Sequence, residues 1–273
     1  MKLGIIDSCF RQVGIDSVTG LQHIARIGFD CVDIFTEAVG ISKKEITGVA
    51  RTAERLGLPI VSLPVVALGL MDFNEPVREF HVERCKKFID LARTWRARNI
   101  LLVLGEYIWQ REVIAAEQQW AWALEGCRRL GDYGDKNKID IALELEPFRQ
   151  SLLNNVAAMV CFIDQCNHVR VRANIDISHL VLSDTSPDDI RKLKGKAIHV
   201  HISDCNGKVH GDLPPGRGIV KFAPYLRAIK ELNMDGAISI ELEYSPEPSR
   251  IVQWVEEAYR ETARRMQAVG LRS

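Results

Sequence analysis

Four stretches in the second half of the chain end on polar residues that a strand would place on one face. They are Glu144 and Glu146 in "ELE", Asn174 and Asp176 in "NID", His199 and His201 in "HVH", and Glu241 and Glu243 in a second "ELE". Side chains alternate across a strand, so residues two apart share a face. Acids and imidazoles buried together on neighbouring strands are costly unless something pairs them, and a divalent cation is the simplest compensation. Carboxylates with an imidazole form a mostly hard-oxygen set, suited to Mn²⁺ or Mg²⁺ and less to a structural Zn²⁺. Asp176 and His179 stand three apart in "ANIDISHL". They share a site only if the strand ends between them, with Asp176 at the last inward position and His179 above it. The plain alternative is that each residue is a solvated strand-end polar group. That reading suits any one of them, but not four successive strands, since inward polar groups must each be paired.

The elements that position these residues alternate from end to end. Strands are expected at 2–7, 31–37, 59–65, 99–106, 139–146, 171–176, 197–203 and 237–243. Helical patterns lie between them at 43–57, 75–95, 115–134, 154–166, 188–194 and 223–233, with a last one at 248–266. Only the first connection, "SVTGLQHIARIG", is short and broken by glycine. Eight strands alternating with eight helices, without a long linker, predict one closed (β/α)₈ barrel over residues 1–273. A doubly wound open sheet would carry a Gly-rich turn after its first strand, and "SCFRQVG" follows instead. In such barrels the C-terminal strand ends carry the chemistry, which is where the polar residues fall.

Composition narrows the function. The chain of 273 residues is 47% hydrophobic and 26% charged, with 36 basic and 36 acidic residues and a formal net charge of zero. A nucleic-acid partner is not expected without a basic excess. The seven cysteines are scattered and form no CxxC pair, the pattern of reduced cytosolic thiols. The first apolar run reaches Asp7 after a few residues, so neither a signal peptide nor a membrane span is expected. A cytoplasmic protein follows.

The pieces "LELEP", "NIDISH", "HVHISD", "PPGRG" and "SIELE", in that order, resemble the xylose isomerase-like barrel superfamily. The resemblance is to its sugar isomerase and epimerase branch of ketose 3-epimerases and inosose isomerases, and it is close over the second half of the chain. It implies a metal-ligand tetrad of Glu146, Asp176, His201 and Glu241, with Mn²⁺ the expected ion and Mg²⁺, Co²⁺ or Zn²⁺ as alternatives. His179 would bind a substrate oxygen, and Arg217 in "PPGRG" would face the pocket. Glu144, Glu243 and His199 share faces with the ligands and would orient them, as would Asp204; whether Glu144 or Glu243 takes its neighbour's place is open. The substrate implied is a small sugar or sugar derivative, and members of the family are often homo-oligomers. The implied reaction is proton transfer through a metal-stabilised enediolate, with Glu146 and Glu241 as the acid–base pair on opposite faces. Return of the proton to the opposite face gives an epimer; return to the adjacent carbon gives an isomer.

One departure bears on the substrate. The epimerases continue past the strand-five ligand as E-x-x-N-R-x-E, whereas Glu146 is followed by "PFRQSL", which puts Leu152 in place of the second Glu. A free ketohexose is therefore in question, and Arg149 could meet a carboxylate or phosphate or stay solvated. Glu106 and Trp109 in "GEYIWQ" lie on a loop above strand four, where Trp109 could stack on a sugar or anchor the loop. Three-zinc abasic-site nucleases of the superfamily need more histidines than remain once His23, His81 and His168 are assigned to helices and a lower turn. Dehydratases and lyases using the same chemistry, and a non-catalytic sugar-binding subunit, are the alternatives that stay open.

Overall fold

Strands covered by helices on one side and closed on themselves on the other are buried throughout, and their sequences are correspondingly apolar. The computed structural model describes residues 1–104 and 114–273. Its strands are β1 (Lys2–Ile5), β2 (Val32–Asp33), β3 (Ile60–Val66), β4 (Asn99–Val103), β5 (Asp140–Leu143), β6 (Val171–Asp176), β7 (Ala197–Ile202) and β8 (Ala237–Ile240). The helices are α1 (Ser8–Arg11), α2 (Ser17–Ile27), α3 (Lys43–Leu56), α4 (Glu75–Thr94), α5 (Ala116–Asn137), α6 (Val156–Cys166), α7 (Ile177–Leu182), α8 (Phe222–Glu231) and α9 (Ile251–Ala268). All strand pairs are parallel, in the order β1-β8-β7-β6-β5-β4-β3-β2. A bridge between Ile6 and Asp33 joins the two ends of that order. The result is the expected (β/α)₈ barrel.

Capping sets several helix starts. The side chains of Asp16, Ser42, Asn155 and Asp176 each accept a backbone N–H from the first turn of α2, α3, α6 and α7, which satisfies donors the helix itself cannot. Glycines in the left-handed region, Gly28 and Gly57, end α2 and α3. The core between strands and helices is apolar and includes Phe10, Phe88, Phe162 and Phe222, all nearly or fully buried.

Two elements depart from expectation. β2 is two residues long, because the register with β3 shifts between Val32 and Asp33 and the ladder ends there. The segment 188–194 forms a 3-10 helix, Pro187–Leu193, and the α-helix of that connection is α7, directly after β6. Trp120 and Trp122, on α5, pack: Trp120 meets Phe162 edge-on, and Arg78 lies over Trp122.

The barrel interior is partly polar. Ser62, Asn99, His199 and Ser239 are all buried, and Asn99 Nδ2 donates to Ser62 Oγ at 2.8 Å. Gly4 belongs to this packing, since a Cβ there would lie 2.8 Å from Ser239 Oγ and 2.9 Å from Cys31 Sγ.

Candidate active site at the mouth of the barrel

Strand β6 ends on Asp176, and the chain turns at once into α7. Asp176 is therefore both the last strand residue and the N-cap, and His179 sits in the first turn above it. One carboxylate oxygen, Oδ1, accepts His179 N at 2.8 Å and Ser178 Oγ at 2.9 Å. The other, Oδ2, is buried and has no hydrogen-bond partner among the described residues. Such an orphan costs free energy unless something else satisfies it.

His201, on β7 next to Asp176 in the register, shows the same division. Its Nε2 lies 3.3 Å from Asp33 Oδ2, which also sits 2.7 Å from His199 Nε2. A carboxylate can only accept, so both rings carry their proton on Nε2. Asp33 and these histidines belong to strands on opposite sides of the β8–β1 pair, so the bonds cross the barrel interior. His201 Nδ1 has no hydrogen-bond partner among the described residues. It lies 3.2 Å from Glu241 Oε2 and 3.5 Å from Glu144 Oε2, off the line of a hydrogen bond.

Donor atoms of Glu144, Asp176 and His201 all lie within 4.8 Å of one another, and Glu241 borders them. This set fits a divalent ion: carboxylates plus one imidazole whose other nitrogen is held by a carboxylate, the usual support of a metal-bound histidine. Asp33, His199 and His201 also cluster, but their contacts are accounted for by the Nε2–H bonds to Asp33.

Charge follows geometry. Burial pushes Glu144 up to about 7 against the pull of His201 and His179. Burial would depress His179, but Asp176, Glu146, Glu144 and Asp212 outweigh it and raise the imidazole to about 10. Burial likewise opposes, and Glu241 and Asp33 prevail in raising, His201. Asp33 goes the other way: burial raises it, but His199 and His201 hold it well below the carboxylate range.

Most of the residues singled out by sequence can be placed. Glu144, Asp176 and His201 converge, His179 stands directly above them, and Glu241 follows β8 with its carboxylate 3.2 Å from His201. Glu146 is buried on the same strand end as Glu144 and contributes to the charge around His179, though it is not in the group of converging donors. Both Glu144 oxygens accept from Asn174 Nδ2, at 2.8 and 2.9 Å. Glu243 is turned to Gln12, and Arg149 is exposed. Arg217 does not join the site: it forms a two-point pair with Glu257 at 2.8 and 2.7 Å and lies over Trp254, both on α9. Asp204 binds loop backbone, accepting from Cys205, Gly216 and Val220 N–H groups, rather than orienting a ligand. Glu106 and Trp109 lie outside the described residues. Sequence reasoning missed Asp33, whose partner is across the barrel, and His210 with Asp212, which sit in an irregular loop. The only signal for the last two was a His and an Asp two apart just before "LPPGRG".

Comparison with known proteins agrees with this architecture. A family model described as xylose isomerase-like TIM barrel matches residues 21–269. A D-psicose 3-epimerase of Ruminiclostridium cellulolyticum is 25% identical over 229 residues, 81% of this chain and 76% of its own. An inosose isomerase of Bacillus licheniformis is 23% identical over 67% of this chain and 68% of its own. Among solved structures, the IOLI protein with a bound zinc atom superposes with a TM-score of 0.82 at 17% identity, covering 100% of this chain and 99% of that one. The chain belongs to the xylose isomerase-like TIM barrel family.

Proposed function

We propose that this chain is a divalent-metal-dependent isomerase or epimerase of a sugar, a cyclitol or a sugar acid. The observation that carries the reading is the pair of buried, inward atoms with no hydrogen-bond partner among the described residues, Asp176 Oδ2 and His201 Nδ1, in a ring of carboxylates. The relatives named above supply the reaction class. The ion would be held by Asp176, His201, Glu241 and a strand-five glutamate. Glu146 is proposed for that last place, because Glu144 is already pinned through both oxygens to Asn174; Glu144 then supports the site from below. Mn²⁺ is the proposed ion, with Zn²⁺ its main competitor.

When bound, the ion supplies Lewis acidity toward a carbonyl oxygen and the neighbouring hydroxyl. The chain does the rest. Glu146 and Glu241 follow β5 and β8, strands separated by β6 and β7, so their carboxylates can address a substrate from different sides. One takes the proton from the carbon next to the carbonyl and the other returns a proton, a contribution of about 10²–10⁴-fold for each positioned group. His179 is held by its Nδ1–H to the Leu145 carbonyl at 2.6 Å, and its Nε2 lies 2.6 Å from His210 Nε2; a substrate oxygen would take the place of that imidazole contact.

A panel of ketoses, inososes and sugar acids, assayed with Mn²⁺ or Zn²⁺ in deuterated water, tests the class. Interconversion with deuterium entering at the reacting carbon is expected; loss of water with no isomer would make it a lyase instead. Asp176→Asn and His201→Ala should lose the ion and at least about 10³-fold of turnover while the barrel still folds. Normal metal content in either variant would remove the proposed ligand set.

A further inference from the structure

The N-terminal end of the barrel, opposite the mouth, holds a cavity of about 540 Å³ between the starts of β1, β3, β4, β7 and β8. Three cations line it, Lys2, Arg96 and Arg98, against one carboxylate, Asp235. Lys2 stands two residues before Gly4, whose Cβ would point at Ser239 in the barrel interior, so its side chain leaves on the inward face. Asp30 feels the charge of Lys2 but is bonded to Arg272. Arg96 follows α4 in the left-handed region, φ 59, where glycine is the low-cost residue. Among the described residues neither Lys2 nor Arg96 makes a side-chain hydrogen bond or an ion pair, and Arg98 meets only the backbone carbonyl of Asp235. This face of a barrel ordinarily serves stability. Like charges gathered at one opening work against it.

The inner end of the cavity presents acceptors instead. Asn99 and His199 line it and are 1% and 2% exposed. Asn99 spends Nδ2 on Ser62 Oγ, which leaves its amide oxygen. His199 spends Nε2–H on Asp33, which leaves Nδ1. A neutral imidazole with its proton on Nε2 accepts at Nδ1. Buried acceptors call for a donor, and a hydroxyl is the small group that supplies one. The cations outside them call for an oxyanion, since the planar fork of arginine matches phosphate and carboxylate oxygens two at a time. The opposite mouth, ringed by carboxylates, repels the same ligand.

We propose that this cavity binds a small hydroxylated anion, a phosphate monoester of a polyol. The phosphate rests on Lys2, Arg96 and Arg98, and a hydroxyl reaches inward to Asn99 and His199. Cations outside and acceptors inside fix the direction in which such a molecule enters. His199 shares Asp33 Oδ2 with His201, so the ligand sits one carboxylate away from the residues at the other end. The site stands apart from the isomerase reading, because it needs neither the ion nor the reaction.

Titration calorimetry on the full chain tests it without any assay of turnover. A chelator is kept present, so that no ion at the mouth can hold phosphate. Glycerol phosphate should bind at one site, about tenfold more tightly than inorganic phosphate, and glycerol should not bind. Lys2→Gln and Arg96→Gly should each weaken glycerol phosphate about tenfold, the scale of one charge-assisted hydrogen bond. Arg96→Gly suits the left-handed backbone, so it removes the charge without a folding cost. Arg93→Gln, which removes a neighbouring cation outside the cavity lining, should change binding less than about twofold. Asn99→Ala should abolish the preference for glycerol phosphate and leave inorganic phosphate as it was, with a thermal melt to show the barrel intact. A wild type that binds neither phosphate overturns the proposal. So does binding that survives Lys2→Gln and Arg96→Gly together, or that falls equally in Arg93→Gln. Malate binding more tightly than glycerol phosphate would overturn the choice of phosphate.

Discussion

Replacing Asp33 by asparagine tests whether the ion pocket depends on a residue that never touches the ion. Asp33 Oδ2 receives Nε2–H from both His199 and His201, at 2.7 and 3.3 Å. Asparagine has about the same shape but a single acceptor oxygen, and its amide nitrogen is a donor. Both imidazoles donate to one oxygen, Oδ2, and an amide oxygen with two lone pairs can accept both, so the substitution removes the negative charge rather than the bonds. The His201 ring is then held by a weaker acceptor and its Nδ1 becomes a weaker ligand. Weakening a partner of this kind costs up to about 10–100-fold in metal affinity, or about 1.4–2.7 kcal/mol at 1.36 kcal/mol per decade. The charge matters as well: a unit charge about 4 Å from another contributes about 4 kcal/mol at an effective dielectric of about 20, so the larger end of the range is expected. The measurement is a chelator-competition titration with Mn²⁺ and Zn²⁺ at fixed pH, beside a thermal melt to show the barrel intact. An Asp33→Asn protein that is folded and binds both ions within twofold of wild type would falsify the idea that Asp33 sets His201.

Two further outcomes follow from the same geometry. Glu146→Gln and Glu241→Gln keep an oxygen but cannot accept a proton, so each should keep metal and lose about 10²–10⁴-fold of turnover; one of them should still exchange a substrate proton with deuterated water, and unimpaired turnover in both would end the two-base scheme. Asp7 is pushed up to about 6 from 3.8 by burial, while Phe35 N and Ser17 Oγ both donate to it at 2.7 Å. Below pH 3.8 the group is protonated folded or unfolded; its contribution is lost as pH rises through about 6, for a total of about 3 kcal/mol at 1.36 kcal/mol per pH unit. Asp7→Asn, which can accept from Phe35 N and donate to Ser17, should therefore unfold at higher denaturant than wild type at pH 7 and match it near pH 4; a variant weaker than wild type at pH 7 would contradict this.

What could be read in the chain beforehand was whatever repeats along it. The alternation of apolar runs and helical faces sufficed for the barrel, and polar residues two apart on β6 and β7 sufficed for Asp176 and His201, because strand geometry fixes which face they share. The turn between Asp176 and His179 was legible for the same reason: residues three apart point to opposite faces of a strand. Asp33 was not, since β2 contributes two residues and its importance lies in partners on the far side of the barrel. Arg217 looked like a pocket residue from its loop, yet Glu257 lies forty positions later and captures it. No local pattern encodes that competition. His210 and Asp212 sit in a loop with no period to read, where only the fold brings them to His179.

The barrel's joints are unequal. β3 and β4 share register pairs from Ser62↔Asn99 to Val66↔Val103, whereas β1 and β2 meet at the bridge of Ile6 with Asp33, reinforced by Asp7 N donating to the Asp33 carbonyl at 3.0 Å. The residue that fastens this seam through its backbone is the one that steadies His201 through its side chain. Cargo and clasp are thus tied by one amino acid. Anything that binds only the closed form stabilises it in proportion to its saturation, so an ion held at His201, as proposed above, would draw the first and second strands together. By the same linkage a chain emptied of metal would be loosest at this joint, where the two ends of the sheet meet, and not at its well-paired far side.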